Sequence, residues 1–381
     1  MNTNSRRDFL AQSARLMGGA VVLGSPLLAA CGSSTKSGAA PTTSTGGAAT
    51  TGSPGTTTAA ASTSTIAGAS AAPASLGKVR TQFNWVPDVE WSAWYLADTN
   101  GFFTAAGANV ELLHGGPNTP AVPQVLASGA ADLGVASDEL QLLQANAAGG
   151  DYVILAAMYQ RSPFGYCWLA DTPITTAKDL VGKTIGGVEG DQIRIDAVFK
   201  INGLKPDYKF FTMNYDPQPL IDKQVDVITA YVTNQPIQLQ LKGVATKSAP
   251  FSDFGLKSYG DVLFASKKYI DANRPALVAY LAGLLKGVKA NVADPTAVIP
   301  LLKGKYGKDT DIDLAYSTPG NAAYIKLYDS DFTKAHGLMS LDPAYLDSAV
   351  LPGYAAAGQA KLPTAATFAN TTILADAQKL A

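Results

Sequence analysis

The chain has 381 residues, 47% of them apolar and 15% charged, with 29 Lys and Arg against 30 Asp and Glu. That is long enough for two domains with cores of their own and too apolar for a disordered whole. A net charge of −1 argues against nucleic acid as a partner, and two Cys with two His leave no material for a Cys/His zinc site, an iron–sulfur cluster or a disulfide scaffold. No apolar run reads as long enough to span a bilayer as a helix.

Ser5-Arg6-Arg7-Asp8-Phe9-Leu10 is a twin-arginine export pattern. An apolar stretch over residues 16–30, broken by Gly18, Gly19, Gly24 and Pro26, follows as a signal h-region. It ends in Leu28-Ala29-Ala30-Cys31, which resembles a bacterial lipobox. Residues 1–30 are therefore expected to be removed and Cys31 to be lipidated, giving an extracytoplasmic protein anchored in the cell membrane. Residues 31–77 follow as a Ser/Thr/Gly/Ala/Pro tether whose only charge is Lys36. Such a stretch cannot bury enough apolar area to offset its ordering entropy.

From Lys78 the pattern changes. Val79, Thr81 and Phe83 alternate with polar residues as a strand, and Asn84-Trp85-Val86-Pro87-Asp88 reads as a turn. A helix with Trp91, Trp94 and Tyr95 on one face follows; these three read as core before ligand wall. Strands are expected at 109–113, 132–136 and 152–158, with helices between them. A second alternation has strands at 184–186, 209–213 and 227–231 and helices at 191–202 and 234–241. The run Ala131-Asp132-Leu133-Gly134-Val135-Ala136 echoes Val225-Asp226-Val227-Ile228-Thr229-Ala230, as two lobes built alike would. One more strand is expected at 261–265, then helices to the end, the longest at 275–292. The expected lobes are 78–170 plus 256–381, and 171–255, with crossings near 168–174 and 248–259.

The order of several motifs carries a resemblance: Asn84-Trp85-Val86-Pro87, then Ala97-Asp98-Thr99-Asn100-Gly101-Phe102-Phe103, Ser128-Gly129-Ala130-Ala131-Asp132-Leu133-Gly134, and Ala177-Lys178-Asp179-Leu180-Val181-Gly182-Lys183-Thr184-Ile185-Gly186. Over residues 78–290 the chain resembles the solute-binding proteins of ABC importers for aliphatic sulfonates and thiamine-pyrimidine precursors. The resemblance implies an α/β, two-lobe periplasmic-binding-protein type II fold with a hinge between lobes and C-terminal helices packing on lobe 1. It also implies a small-molecule ligand, permease and ATPase subunits as partners, a monomer, no catalytic residues, and neither metal nor cofactor.

Ligands of open α/β sheets sit beyond the carboxyl ends of the strands. The residues expected there are acidic and aromatic, with Arg161 and Arg194 as the main cations. A buried sulfonate would face repulsion, whereas a planar nitrogen heterocycle suits carboxylate acceptors and aromatic walls. The candidate ligand contacts are Asn84, Trp85, Asp88, Glu90, Asn118, Asp138, Tyr159, Glu189, Tyr231 and Asn234. Asp138 and Asp191 read as helix caps first. Glu189, in a Gly-rich loop that needs no cap, is the preferred polar anchor. A thiamine pyrimidine precursor is the first ligand expectation, a flavin the second, and an aliphatic sulfonate the alternative. A related eukaryotic branch makes the thiamine pyrimidine from its own histidine and carries a second-lobe cysteine cluster. Residues 186–192 here, Gly-Gly-Val-Glu-Gly-Asp-Gln, contain no Cys, and His114 and His336 form no sequence-adjacent metal pattern. Cys167 is expected to pack as a small apolar residue.

Overall fold

The computed structural model describes residues 76–381. The expected signal segment, Cys31 and the tether up to residue 75 lie outside the described residues. Ten strands follow in chain order: β1 (Lys78–Gln82), β2 (Asn109–Leu113), β3 (Leu133–Ala136), β4 (Tyr152–Tyr159), β5 (Phe164–Leu169), β6 (Thr184–Gly187), β7 (Lys209–Thr212), β8 (Val227–Tyr231), β9 (Thr246–Pro250) and β10 (Gly260–Ser266). They form two five-stranded sheets, ordered β2-β1-β3-β10-β4 and β7-β6-β8-β5-β9.

The two sheets repeat one plan. In each, three parallel strands are followed by two antiparallel neighbours. The echoing runs of the sequence end in β3 and β8, which hold the same place in their sheets. The repeat is therefore architectural: both runs need a buried strand that enters a polar helix start at the same edge.

Of the two crossings, the second lies where the sequence pattern suggests and the first does not. The 168–174 stretch is no crossing, because β5 is already hydrogen-bonded into the second sheet between β8 and β9. The chain passes between sheets at residues 160–163 and returns at 251–259. Both β5 and β9 escape a periodicity reading because β5 is a continuous apolar run and β9 a short polar one. The two crossings lie against each other, with Ser162 N–H donating to the Ser258 carbonyl at 3.1 Å. Gly260 sits there, where a Cβ would lie 2.9 Å from Pro163 and 3.0 Å from the Ser162 Cα.

The long helix begins earlier than expected, at Lys267–Ala293, with a non-helical residue, Asn273, just before Pro275. By length and composition it could cross a membrane, which corrects the reading that no apolar run is long enough. It is a core helix: Leu277, Tyr280, Leu281, Leu284 and Val288 are buried in the first-sheet core with Trp94 and Phe103. Its Gly287 meets helix Ser92–Thr99 so closely that a Cβ would lie 2.1 Å from the Ala93 carbonyl oxygen. The C-terminal helix Thr371–Gln378 packs on this helix and on β4. Other C-terminal segments reach the second sheet as well: Leu346, Val350 and Tyr354 share a core with Ile185, Ile195 and Phe199. Replacement of Gly287 by Val is expected to cost about 1–3 kcal/mol through overpacking, read as a lower midpoint in urea unfolding.

Candidate ligand-binding cleft

The residues that follow the carboxyl ends of β1, β3, β6, β7 and β8 line one cleft with two chambers of about 380 and 290 Å³. Ser137, Gln141, Tyr215, Tyr231 and Gln235 line both, so the chambers are continuous. Volumes of this size suit one small organic molecule.

The first-sheet chamber is built on the loop after β1. Asn84 donates from Nδ2 to Ser137 Oγ at 2.7 Å, tying the β1 and β3 loops together. Trp85 meets Tyr215 of the second lobe edge-on, with ring centroids 4.4 Å apart and planes at 68°. Asp88 caps the short helix Val89–Trp91 by accepting from the Val89 N–H. Asn234, from the loop after β8, donates to Asp88 at 3.3 Å across the cleft. Glu90 follows, 3% exposed, and lines the same chamber. Tyr316, from helix Leu314–Ile325, closes one side and donates to the Thr233 carbonyl at 3.1 Å.

The second-sheet chamber is lined by Phe164, Gly187, Glu189, Asp191, Arg194 and Met213, among others. Arg194, at the start of helix Gln192–Ile201, donates from Nε and Nη2 to the two Asp138 oxygens at 2.7 and 2.8 Å. The pair bridges the lobes and is buried, its side chains 9% and 2% exposed. Asp191 lies 3.8 Å away on the other side of the guanidinium, and the Phe164 ring is 4.9 Å from its centre. Asp138 also caps helix Leu140–Ala147, accepting from Leu140 N–H at 3.0 Å. Asp191 accepts from Val188 N–H and Thr229 Oγ. Among the described residues, Arg194 is the only Lys, Arg or His lining either chamber, and it is committed to carboxylates.

Several buried acids are protonated more readily than usual. Burial pushes Asp88 up to about 7, against its backbone hydrogen bonds, which pull it down. Burial, with the neighbouring Asp138 charge, pushes Glu139 up to about 8. Glu90 and Asp261 form a close buried pair, and burial with mutual repulsion holds Glu90 well above the carboxylate range. Asp261 is pushed up to about 8 by burial; its φ of 44° is in the left-handed region, unusual for a residue other than glycine.

The structure brings together Asn84, Trp85, Asp88, Glu90, Tyr231 and Asn234 on one chamber, and sets Glu189 on the other. Two expected contacts are elsewhere. Tyr159 is fully buried in the core, stacked between Tyr324 and Tyr328 at 5.2 and 5.8 Å, because C-terminal residues cover the end of β4. Asn118 is exposed and lines neither chamber. Asp138 is an ion-pair partner and cap behind the lining. Sequence reasoning placed the Ser137 loop at the cleft but missed Gln141, Tyr316 and Asp261. Only Asp261 left a signal, an acid opening an otherwise apolar strand. His114 packs on Phe83 and Tyr95 outside the chamber linings, held near a pKa of about 4 by burial. Cys167 is buried in β5, its thiol pushed up to about 12 by burial.

Residues 89–298 match the family described as NMT1/THI5 like. The chain belongs to the NMT1/THI5-like family. It is 25% identical over 239 residues to a formylaminopyrimidine-binding protein of Halalkalibacterium halodurans, covering 60% of this chain and 70% of that one. It is 25% identical to the riboflavin-binding protein RibY of Chloroflexus aurantiacus, covering 61% and 69%. It is 26% identical to the yeast 4-amino-5-hydroxymethyl-2-methylpyrimidine phosphate synthase THI11, from Saccharomyces cerevisiae, covering 58% and 69%. In three dimensions this NMT1/THI5-like chain resembles the alkanesulfonate-binding protein SsuA from Xanthomonas axonopodis pv. citri, solved with MOPS bound. The TM-score is 0.58 at 18% identity, over 78% of this chain and 99% of that one. At that identity the likeness shows the fold, the two-lobe α/β fold of periplasmic binding proteins.

The raised acids fix a pH dependence of stability. Asp88, Glu90, Glu139 and Asp261 bind protons more tightly folded than unfolded. Their stabilisation is complete below the unfolded carboxylate range and is lost as pH rises through the folded values. Each contributes a slope of up to about 1.4 kcal/mol per pH unit. Calorimetric melting between pH 5 and 9 is expected to show a midpoint that falls as pH rises through 7 and 8; a midpoint that rises over that window contradicts the assignment.

Proposed function

We propose that this chain is the extracytoplasmic substrate-binding subunit of an ABC importer, capturing a planar nitrogen heterocycle by lobe closure and handing it to a permease and its ATPase. The thiamine pyrimidine precursor is the first ligand and a flavin the second. The observation that carries this reading is the division of charge in the cleft. Its one lining cation is held by Asp138, while open acceptors and aromatic faces remain for a ligand. An anionic sulfonate would find no uncommitted cation there; a heterocycle would find carboxyls for its N–H edge and rings for its faces.

In this proposal Trp85, Tyr231 and Tyr316 supply ring faces, and Asn84, Asp88, Glu90, Asn234 and Glu189 supply polar contacts. The hinge is assigned to residues 160–163 and 251–259, with lobes of 78–159 plus 260–381, and 164–250. Cys31 is the proposed lipid attachment site, reached by twin-arginine export, and the protein acts as a monomer. The relatives named as binding proteins support a receptor. The yeast relative is named as a synthase, yet residues 186–192 of this chain hold no Cys. Neither His lines the chambers. A non-enzymatic role is therefore proposed.

A thermal-shift panel on the purified full chain tests the reading, with an aminopyrimidine precursor, thiamine, riboflavin, taurine and an alkanesulfonate. A ligand at ~100 times its dissociation constant adds about 2.7 kcal/mol, a shift of several degrees. A shift with a heterocycle is expected, and Trp85→Ala is expected to remove about 1–3 kcal/mol of its binding. A shift with the sulfonates alone overturns the proposal.

A further inference from the structure

We propose that the first-sheet chamber takes a ligand with a positive charge on its flat ring system, that Glu90 and Asp88 are its counter-ions, and that binding expels protons from the cleft. The inference rests on the heterocycle reading of the same site and narrows it to a charge class.

Glu90 lines the chamber, is 3% exposed, and its Oε1 meets no N–H or hydroxyl donor among the described residues; the Asp261 carboxyl is the group within hydrogen-bond reach of its side chain. Asp261, fully buried, stands behind Glu90, within hydrogen-bond reach of it and of the Tyr159 hydroxyl. The Tyr231 hydroxyl lines the same chamber, beside Ser137. Buried polar groups in folded proteins are nearly always satisfied, so a carboxyl at a cavity wall that faces only another acid calls for a donor from outside.

The chamber lining includes four carboxyls, Asp88, Glu90, Asp311 and Asp313, and no Lys, Arg or His. Two are partly occupied: Asp313 caps Ala315 and Tyr316, and Asp88 accepts from Val89 and Asn234. Asp311 is exposed at the rim. Glu90 is the one that is both buried and open. Around it stand Trp85, Tyr215, Tyr231 and Tyr316. Aromatic faces attract cations through their quadrupoles, more strongly once the pair is desolvated.

A neutral donor would satisfy Glu90 only while the acid stays protonated or weakly paired. Two buried acids, Glu90 and Asp261, cannot both ionise without a compensating charge. A cation permits ionisation, and a charge-assisted hydrogen bond is roughly twice as strong as a neutral one.

The titratable groups facing Glu90 and Asp88 are few. Asp261 comes from β10, Tyr159 from β4, Tyr95 from helix Ser92–Thr99, and Tyr316 and Tyr324 from helix Leu314–Ile325, with Tyr231 from β8. Burial raises all of these tyrosines, so they stay neutral at physiological pH. Arg194, in the other chamber, is neutralised by Asp138 and Asp191. The acids alone therefore titrate. With Asp88 at about 7 and Asp261 at about 8, the empty cleft carries protons at neutral pH. A bound cation lowers those values and releases them. Affinity then rises with pH, by up to about tenfold per unit for each proton released.

Titration calorimetry on the full chain tests this with thiamine and with 3-deazathiamine, whose ring lacks the positive charge. Riboflavin, choline and taurine complete the set. Measurements at pH 6, 7 and 8 in two buffers of different ionisation heat count the protons. Thiamine is expected to bind at least tenfold tighter than its neutral isostere, more tightly at pH 8 than at pH 6, with about one proton released. Glu90→Gln is expected to flatten the pH slope and narrow the charged-to-neutral ratio, with Asp88→Asn as the second variant should the first fail to fold. Equal binding of the isosteres, binding of riboflavin alone, or no proton release overturns the charge inference and leaves the heterocycle reading standing. Binding of choline alone overturns the heterocycle reading and the ring-borne charge with it. Binding of taurine alone, or no heat with any probe at millimolar concentration, overturns both.

Discussion

Arg194 and Asp138 meet across the cleft in two short, buried, charge-assisted hydrogen bonds, and the geometry of the site depends on that pair. Asp138 opens helix Leu140–Ala147 and Arg194 lies in the first turn of helix Gln192–Ile201. One contact therefore fixes the loop after β3 against the loop after β6. A buried ion pair adds little net stability compared with apolar packing, and breaking it by removing one partner costs about 3–5 kcal/mol. Its role here is register: it joins the lobes at one relative position. It also removes the cleft's cation from the reach of any ligand, which leaves the remaining acids to set the electrostatic character of the site.

The helix starts and half-buried strands were legible in the sequence because they depend on local chemistry. Asp138 before an apolar helix and Trp91, Trp94 and Tyr95 at helical spacing have the same roles in the structure as in the pattern: a cap, and core side chains at 0% exposure. What the sequence could not show is which strand pairs with which. β5 resembles any buried strand, and only its hydrogen bonds to β8 and β9 assign it to the second sheet. Tyr159 was expected in the cleft because it ends a strand. Nothing near it in sequence reveals that Tyr324 and Tyr328 cover that end. Tyr316 escaped for the same reason in reverse, since it reaches the site from a C-terminal helix that reads as mere packing.

The seam behind the proposed hinge is apolar. One buried cluster runs from Ala136 and Ile154 of the first sheet through Phe254, Leu256 and Tyr259 to Ile185 and Phe199 of the second. Glu139 sits at this seam, accepting from the Tyr259 N–H at 3.0 Å. Opening the cleft at its mouth therefore need not separate the lobes at their back, where Gly260 lets the two crossings touch. In the proposed motion about this pivot the polar contacts across the cleft, Asn234 with Asp88 and Arg194 with Asp138, break and the apolar ones persist.

The order of the first sheet, β2-β1-β3-β10-β4, sets a sequence of events for a chain leaving the ribosome. β4 joins its sheet only through β10, which is made about a hundred residues later. The second sheet, β5 to β9, is continuous in the chain and can close as soon as it has emerged. The first half must wait, with the edges of β3 and β4 unpaired, until the second is complete. Exposed strand edges of this kind invite wrong partners. The assembly of the N-terminal lobe is thus timed by the synthesis of its neighbour, and the interval between β4 and β10 is when the nascent chain is most open to aggregation.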